Sequence, residues 1–181
     1  MKKNYALKVL TLILTVITLP NLLHAQTPVD KSKRPSPPML ATGKIGEANV
    51  SVDYSSPSVK GRKMLGGVLP YGKLWRAGAN EATIFSTDKD ITVDGKKLPA
   101  GKYSFFATPG DKKWTVFFNS ETGQWGDKKN GDTNMDSTKT VLTFDVKRKK
   151  LTDLVERLEY KVQDNGIALR WEYSEIFIKI K

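Results

Sequence analysis

The stretch "PAGKYSFFATPGDKKWTVFFN", residues 99–119, decides the fold. Two apolar, aromatic runs flank Pro109, Gly110 and Asp111, residue types that favour a chain reversal. Each run alternates with a period of two. Tyr103 and Phe105 share one face against Phe106, and Trp114, Val116 and Phe118 share one face against Phe117. A period of two is a strand, and large groups on both faces predict central strands covered on both sides.

Working outward toward the N-terminus, "ITVDGKKL" carries a hairpin signal in Asp94 and Gly95. Before it, "EANVSVDY" sets Ala48, Val50 and Val52 against Asn49, Ser51 and Asp53, the pattern of a half-buried strand. Toward the C-terminus, "TKTVLTFDVK" alternates through Val141. Leu158, Tyr160 and Val162 are then answered across Asp164, Asn165 and Gly166 by Ile167, Leu169, Trp171 and Tyr173, a second hairpin. "EIFIKIK" ends the chain with Ile176, Ile178 and Ile180 in alternation. "LTDLVERL", residues 151–158, departs from this pattern, because Leu151, Leu154, Val155 and Leu158 fit a helical stripe. A helical turn is expected there, with strand from about Glu156. Many short, regularly spaced strands without an internal repeat predict an all-β fold, an antiparallel β-sandwich that is jelly-roll-like or barrel-like.

The first 25 residues have another character. A basic lead, "MKKNYALK", precedes the apolar run "VLTLILTVITLP", and "LLHA" before Gln26 suits cleavage, so residues 1–25 are expected to be a signal peptide. The run is short for a membrane span. An exported chain, periplasmic or extracellular and without a transmembrane segment after processing, is expected. Residues 26–38, rich in Pro, Ser and Lys, form an extended leader with little packing of its own, and residues 39–181 form one β-sandwich domain. The sequence has no cysteine, which excludes disulfides and lipid attachment at a processed Cys, and its one histidine, His24, leaves with the signal. Ser-His-Asp and Cys-His mechanisms are thereby excluded, as are the usual zinc ligands.

Removing Lys2, Lys3 and Lys8 from the 30 basic residues leaves 27 against 19 acidic ones, a net +8. Residues 31–80 hold nine of these cations against Glu47 and Asp53 alone. That bias favours acidic partners, a small anion or an acidic glycan among them. Nucleic acid is not expected without a basic-aromatic stripe or a recognisable module. Lys147 to Lys150 read as a solvated strand end.

"YSSPSVKGRKMLGGVLPYGKLWRAGANEAT", residues 54–83, holds Pro57, Gly61, Gly66, Gly67, Pro70, Gly72 and Gly78, which forbid regular structure over most of it. Met64, Leu65, Val68, Leu69, Tyr71, Leu74 and Trp75 nevertheless require a surface to pack on. A long, ordered, Gly/Pro-rich crossover loop lying on the sandwich is the expectation.

With "RPSPP", "LPAGKYSFFATPG", "WTVFFN", "QWG" and "LRWEY", this block resembles the secreted bacterial family catalogued as domain of unknown function 2911, over about residues 34–181. The resemblance implies an exported β-rich domain and assigns no activity and no catalytic residue.

Candidate ligand-binding residues follow from side-chain chemistry. Arg62 and Arg76 offer forked donors for carboxylate or phosphate. Asn80 suits a polar ligand or a turn cap, and Glu81 suits acid–base work or a structural pairing with Arg76. Two readings of Arg76, Asn80 and Glu81 stand side by side, a network that pins the loop and a ligand site. Trp114 and Trp171 alternate like core residues, leaving Trp75 and Trp125 as loop aromatics suited to a sugar. Asp132, Asn134 and Asp136 have the spacing of a calcium loop, but Ser137 replaces its Gly and Thr143 its Glu. No metal and no cofactor is therefore expected. The reading that results is a binding module, monomer or dimer, for a small anionic or carbohydrate ligand. The alternatives are a histidine-independent hydrolase such as a glycosidase, drawing on Asp53, Glu81 or Glu172, and a structural or surface-interaction domain.

Overall fold

The computed structural model describes residues 30–181; the expected signal peptide and residues 26–29 lie outside them. Seven strands form the main sheet, all neighbours antiparallel: β1 (Pro38–Ile45), β2 (Ala48–Ser55), β3 (Ala79–Thr87), β6 (Gly101–Thr108), β7 (Lys113–Asn119), β8 (Thr140–Gln163) and β9 (Gly166–Lys179), in the order β1-β2-β3-β6-β7-β8-β9. The two runs that decided the fold are β6 and β7, paired Phe105 to Phe118 and Phe106 to Phe117 at the middle of the sheet. Phe105, Phe106, Trp114, Val116 and Phe118 are buried. Phe118 meets Phe85 and Phe105 edge-on with ring centres 5.2 Å away in each case, an arrangement that aromatic quadrupoles favour.

The sheet curls until it nearly closes. Beyond β2 the chain continues toward β8: Val59 N–H donates to the Glu156 carbonyl (2.8 Å), Leu158 N–H to the Pro57 carbonyl (3.0 Å) and Ser56 Oγ to the Leu158 carbonyl (2.7 Å). The architecture is barrel-like, within the predicted class. A small second sheet, β4 (Ile91–Val93) with β5 (Lys96–Leu98), turns through Asp94 and Gly95, both at positive φ, as a two-residue hairpin requires. It buries Ile91, Val93 and Leu98 and pairs with the last residues of the chain through Thr92 and Lys181.

Two expectations change, and one strand is new. Residues 151–158 hold no helical turn; they belong to β8, which runs unbroken for 24 residues. From Lys150 to Glu159 it advances nine positions while β9 advances four, from Ser174 to Arg170. Bulges of this kind break the period of two, and the four-residue apolar spacing that imitated a helix is their trace. Tyr173 points outward although Trp171 is buried, because β9 changes parity at Glu172, which sits at φ 54: Ile167, Leu169 and Trp171 face inward before it, Ser174, Ile176 and Ile178 after it. Strand β1, unread in the sequence, is largely exposed and shows little apolar alternation.

The crossover loop, residues 56–78, is ordered as expected. Trp75 and Ala107 exchange backbone hydrogen bonds (2.8 and 2.9 Å), and both Glu172 carboxylate oxygens accept backbone N–H groups, from Met64 and Leu65 (3.0 Å each). Met64, Leu65 and Trp75 are buried and Leu69 and Leu74 half-buried, whereas Val68 and Tyr71 remain exposed. Among the described residues no helix is long and apolar enough to cross a membrane.

Candidate functional site

Between this loop, the 127–133 turn and the end of the barrel lies a cavity of about 380 Å³, in the size range of small-molecule sites. Arg62, Lys73, Arg76 and Asp127 supply its charge, and Met64, Leu69, Leu74, Trp75 and Trp171 its apolar wall. Trp75 is the structural key. Its ring stacks on Trp171 at 5.5 Å and 17°, meets Trp114 edge-on at 6.2 Å, and its Nε1 donates to the Gly78 carbonyl at 2.9 Å. Rather than projecting from the loop as a sugar platform, Trp75 is part of the core and forms a wall of the cavity.

The pairing of Arg76 with Glu81 does not form. Arg76 Nη1 donates to the Asp127 carboxylate. Between Arg76 and Glu81 the backbone takes positive φ at both Ala77 and Asn80, and the two side chains reach different partners. The contact with Asp127 depends on a glycine. A Cβ on Gly126 would stand 1.8 Å from Arg76 Cδ and 2.8 Å from the Asn80 carbonyl oxygen, distances that no side chain can occupy.

Arg62 is exposed; its Nε and Nη2 donate to the Val59 and Ser58 carbonyls (3.0 and 2.8 Å), and its Nη1 has no partner among the described residues. Lys73 is exposed and forms no ion pair among the described residues. Three cations thus line the cavity, and Asp127 neutralises one of them.

Asn80, Glu81 and Trp125 are not part of the cavity lining; they hold the leader. Glu81 accepts from Arg34 with both carboxylate oxygens (3.0 and 2.9 Å) and pairs with Lys31 (3.0 Å). Asn80 Nδ2 donates to the Ser36 carbonyl (3.0 Å) instead of capping the turn into the strand. The Arg34 guanidinium lies over exposed Trp125, 5.8 Å from its ring centre. The described part of the leader, expected to pack little, is therefore docked through Lys31, Arg34 and Ser36. Burial raises the Glu81 carboxyl, but the Lys31 ammonium, its own backbone N–H and the Arg34 guanidinium outweigh that effect and bring it from an ordinary 4.5 down to about 2. A carboxyl depressed in the folded state stabilises fully above its unfolded value, and the contribution is lost as pH falls from about 4.5 toward about 2. Acid should accordingly weaken the protein over that window. In urea melts at about pH 5 and about pH 3, Glu81→Gln should show the smaller loss, and equal losses in the two proteins would contradict this role for Glu81.

The other carboxylates singled out in the sequence lie away from the cavity lining. Glu172 fixes the loop, and Asp53 lies exposed in β2. Asp136 caps a short 3-10 turn through Thr138, Asn134 Nδ2 donates to the Trp125 carbonyl, and Asp132 accepts from Asn130. The calcium-like spacing thus sends its three side chains to three separate partners. Sequence reading missed Lys73 and Asp127; Asp127 carried one usable signal, a Gly immediately before an acid in a loop.

Residues 36–180 match the family described as "Protein of unknown function (DUF2911)". The chain belongs to this family. The DUF2911 match takes in Ser36 and every charged residue of the cavity, whereas Lys31 and Arg34, which hold Glu81, precede it. No curated protein and no solved structure matches the chain.

Proposed function

We propose that the protein is an exported binding module whose cavity beneath the crossover loop takes a small anionic ligand. The observation that carries this reading is the charge of the lining: Arg62, Lys73 and Arg76 face one carboxylate, Asp127. Unneutralised cations in a concave, partly apolar site attract and orient an anion. Export rests on the basic lead, apolar run and small-residue site of residues 1–25.

Thermal melts and calorimetry with phosphate, acetate, glucuronate and octanoate, and with glucose and octanol as neutral controls, test the proposal. At least one anion should raise the melting midpoint logarithmically with its concentration, by about 2.7 kcal/mol of stability at a hundredfold excess over its dissociation constant. The double variant Arg62→Ala, Lys73→Ala changes two exposed side chains and should keep its intrinsic stability within about 1 kcal/mol. It should nevertheless lose the anion effect. No response across the panel, or an undiminished response in the double variant, refutes the reading.

A further inference from the structure

The cavity is graded in a way that the anion reading leaves unused. Arg62 and Lys73, which have no carboxylate partner among the described residues, are exposed, whereas Met64, Trp75 and Trp171 are buried and Leu69 and Leu74 half-buried. Charge therefore sits at the rim and apolar surface lies deeper. Exposed Val68, also lining the cavity, extends the apolar side outward to the mouth. A bare oxyanion is held best where several charge-assisted donors converge on it. Here the deeper wall offers it carbon, and the one cation set further in, Arg76, already holds Asp127.

Building on the anion reading, we infer that the ligand is an amphiphilic anion, an aliphatic or aromatic carboxylate or phosphate ester. Its charged head meets Arg62 and Lys73 at the rim, and its apolar body lies against Met64, Leu69, Leu74 and Trp171. Charge complementarity fixes the orientation, since the reverse placement would bury an unpaired anion against carbon. The apolar wall supplies most of the affinity and the rim cations supply the selection for charge.

A homologous series of carboxylates, acetate, butyrate, hexanoate and octanoate, all below micelle-forming concentrations, tests this by calorimetry on the mature protein. Affinity should rise about fourfold per buried methylene until the cavity is filled, and octanol should bind at least tenfold more weakly than octanoate. Leu69→Ser should flatten the dependence on chain length while leaving acetate binding unchanged. Because Leu69 is half-buried, Val68→Ser at the exposed mouth serves as a second variant and should weaken octanoate with no effect on acetate. If acetate, phosphate or glucuronate binds as tightly as octanoate and does so through Arg62 and Lys73, the anion reading stands and the amphiphile inference falls. If octanol equals octanoate, or nothing binds, both fall.

Discussion

Trp75→Ala should cost about 3–5 kcal/mol of unfolding free energy, the range for removing a large buried aromatic. The residue stacks on Trp171, abuts Trp114 and donates to the Gly78 carbonyl; truncation removes all three contacts and leaves a void under the loop. Trp75→Phe keeps an aromatic body and loses the indole N–H, so it should fall between the two, with about 1 kcal/mol attributable to the hydrogen bond. Urea denaturation of the three proteins gives the ranking. A cost below about 1 kcal/mol for the alanine variant would mean that the loop is a surface feature and not part of the core.

The second large effect is expected at Glu172. Its carboxylate bonds the backbone N–H groups of Met64 and Leu65, residues distant in sequence and buried in the loop. Glu172→Ala leaves two donors without a partner, and hydrogen bonds to charged groups are worth about 1.5–3 kcal/mol each, so a loss of about 3 kcal/mol or more should follow. Glu172→Gln retains one acceptor and should lose less. Hydrogen exchange locates the effect: the amides of Met64 and Leu65 should exchange faster in the alanine variant, while that of Phe105 in the sheet centre should slow or quicken only with global stability. Unchanged exchange at Met64 and Leu65 would show that the loop is held by something else.

The sheet was readable where burial was two-sided or strictly alternating. Residues 99–119 announced β6 and β7 because two aromatic runs with a period of two flank a turn signal. β1 escaped because an exposed edge strand needs no apolar pattern. The parity change in β9 was present in the letters, since Trp171 and Ile176 cannot share a face of a regular strand, yet its cause is a backbone conformation at Glu172 that residue type does not advertise. The loop was legible as an ordered crossover, but its pairings were not. Arg76 and Glu81 are near in sequence, whereas the partner of Arg76 lies 51 residues away and those of Glu81 47 and 50 residues away in the leader. Pairing between loops is set by the path of the chain, which periodicity does not encode.

The loop fastenings also order events in time. One runs from Val59 to Glu156, another from Met64 to Glu172 across 108 residues of chain, and a third from Trp75 to Ala107. Contacts so remote form late and slowly, because the entropy of closing large loops must be met before they give anything back. The walls of the cavity are consequently expected to complete late in folding, an order that pulse-labelled hydrogen exchange at Met64 and Leu65 would read. A nascent polypeptide lacking β9 has neither Glu172 to hold Met64 nor Trp171 to support Trp75, so the walls of the cavity require the whole barrel.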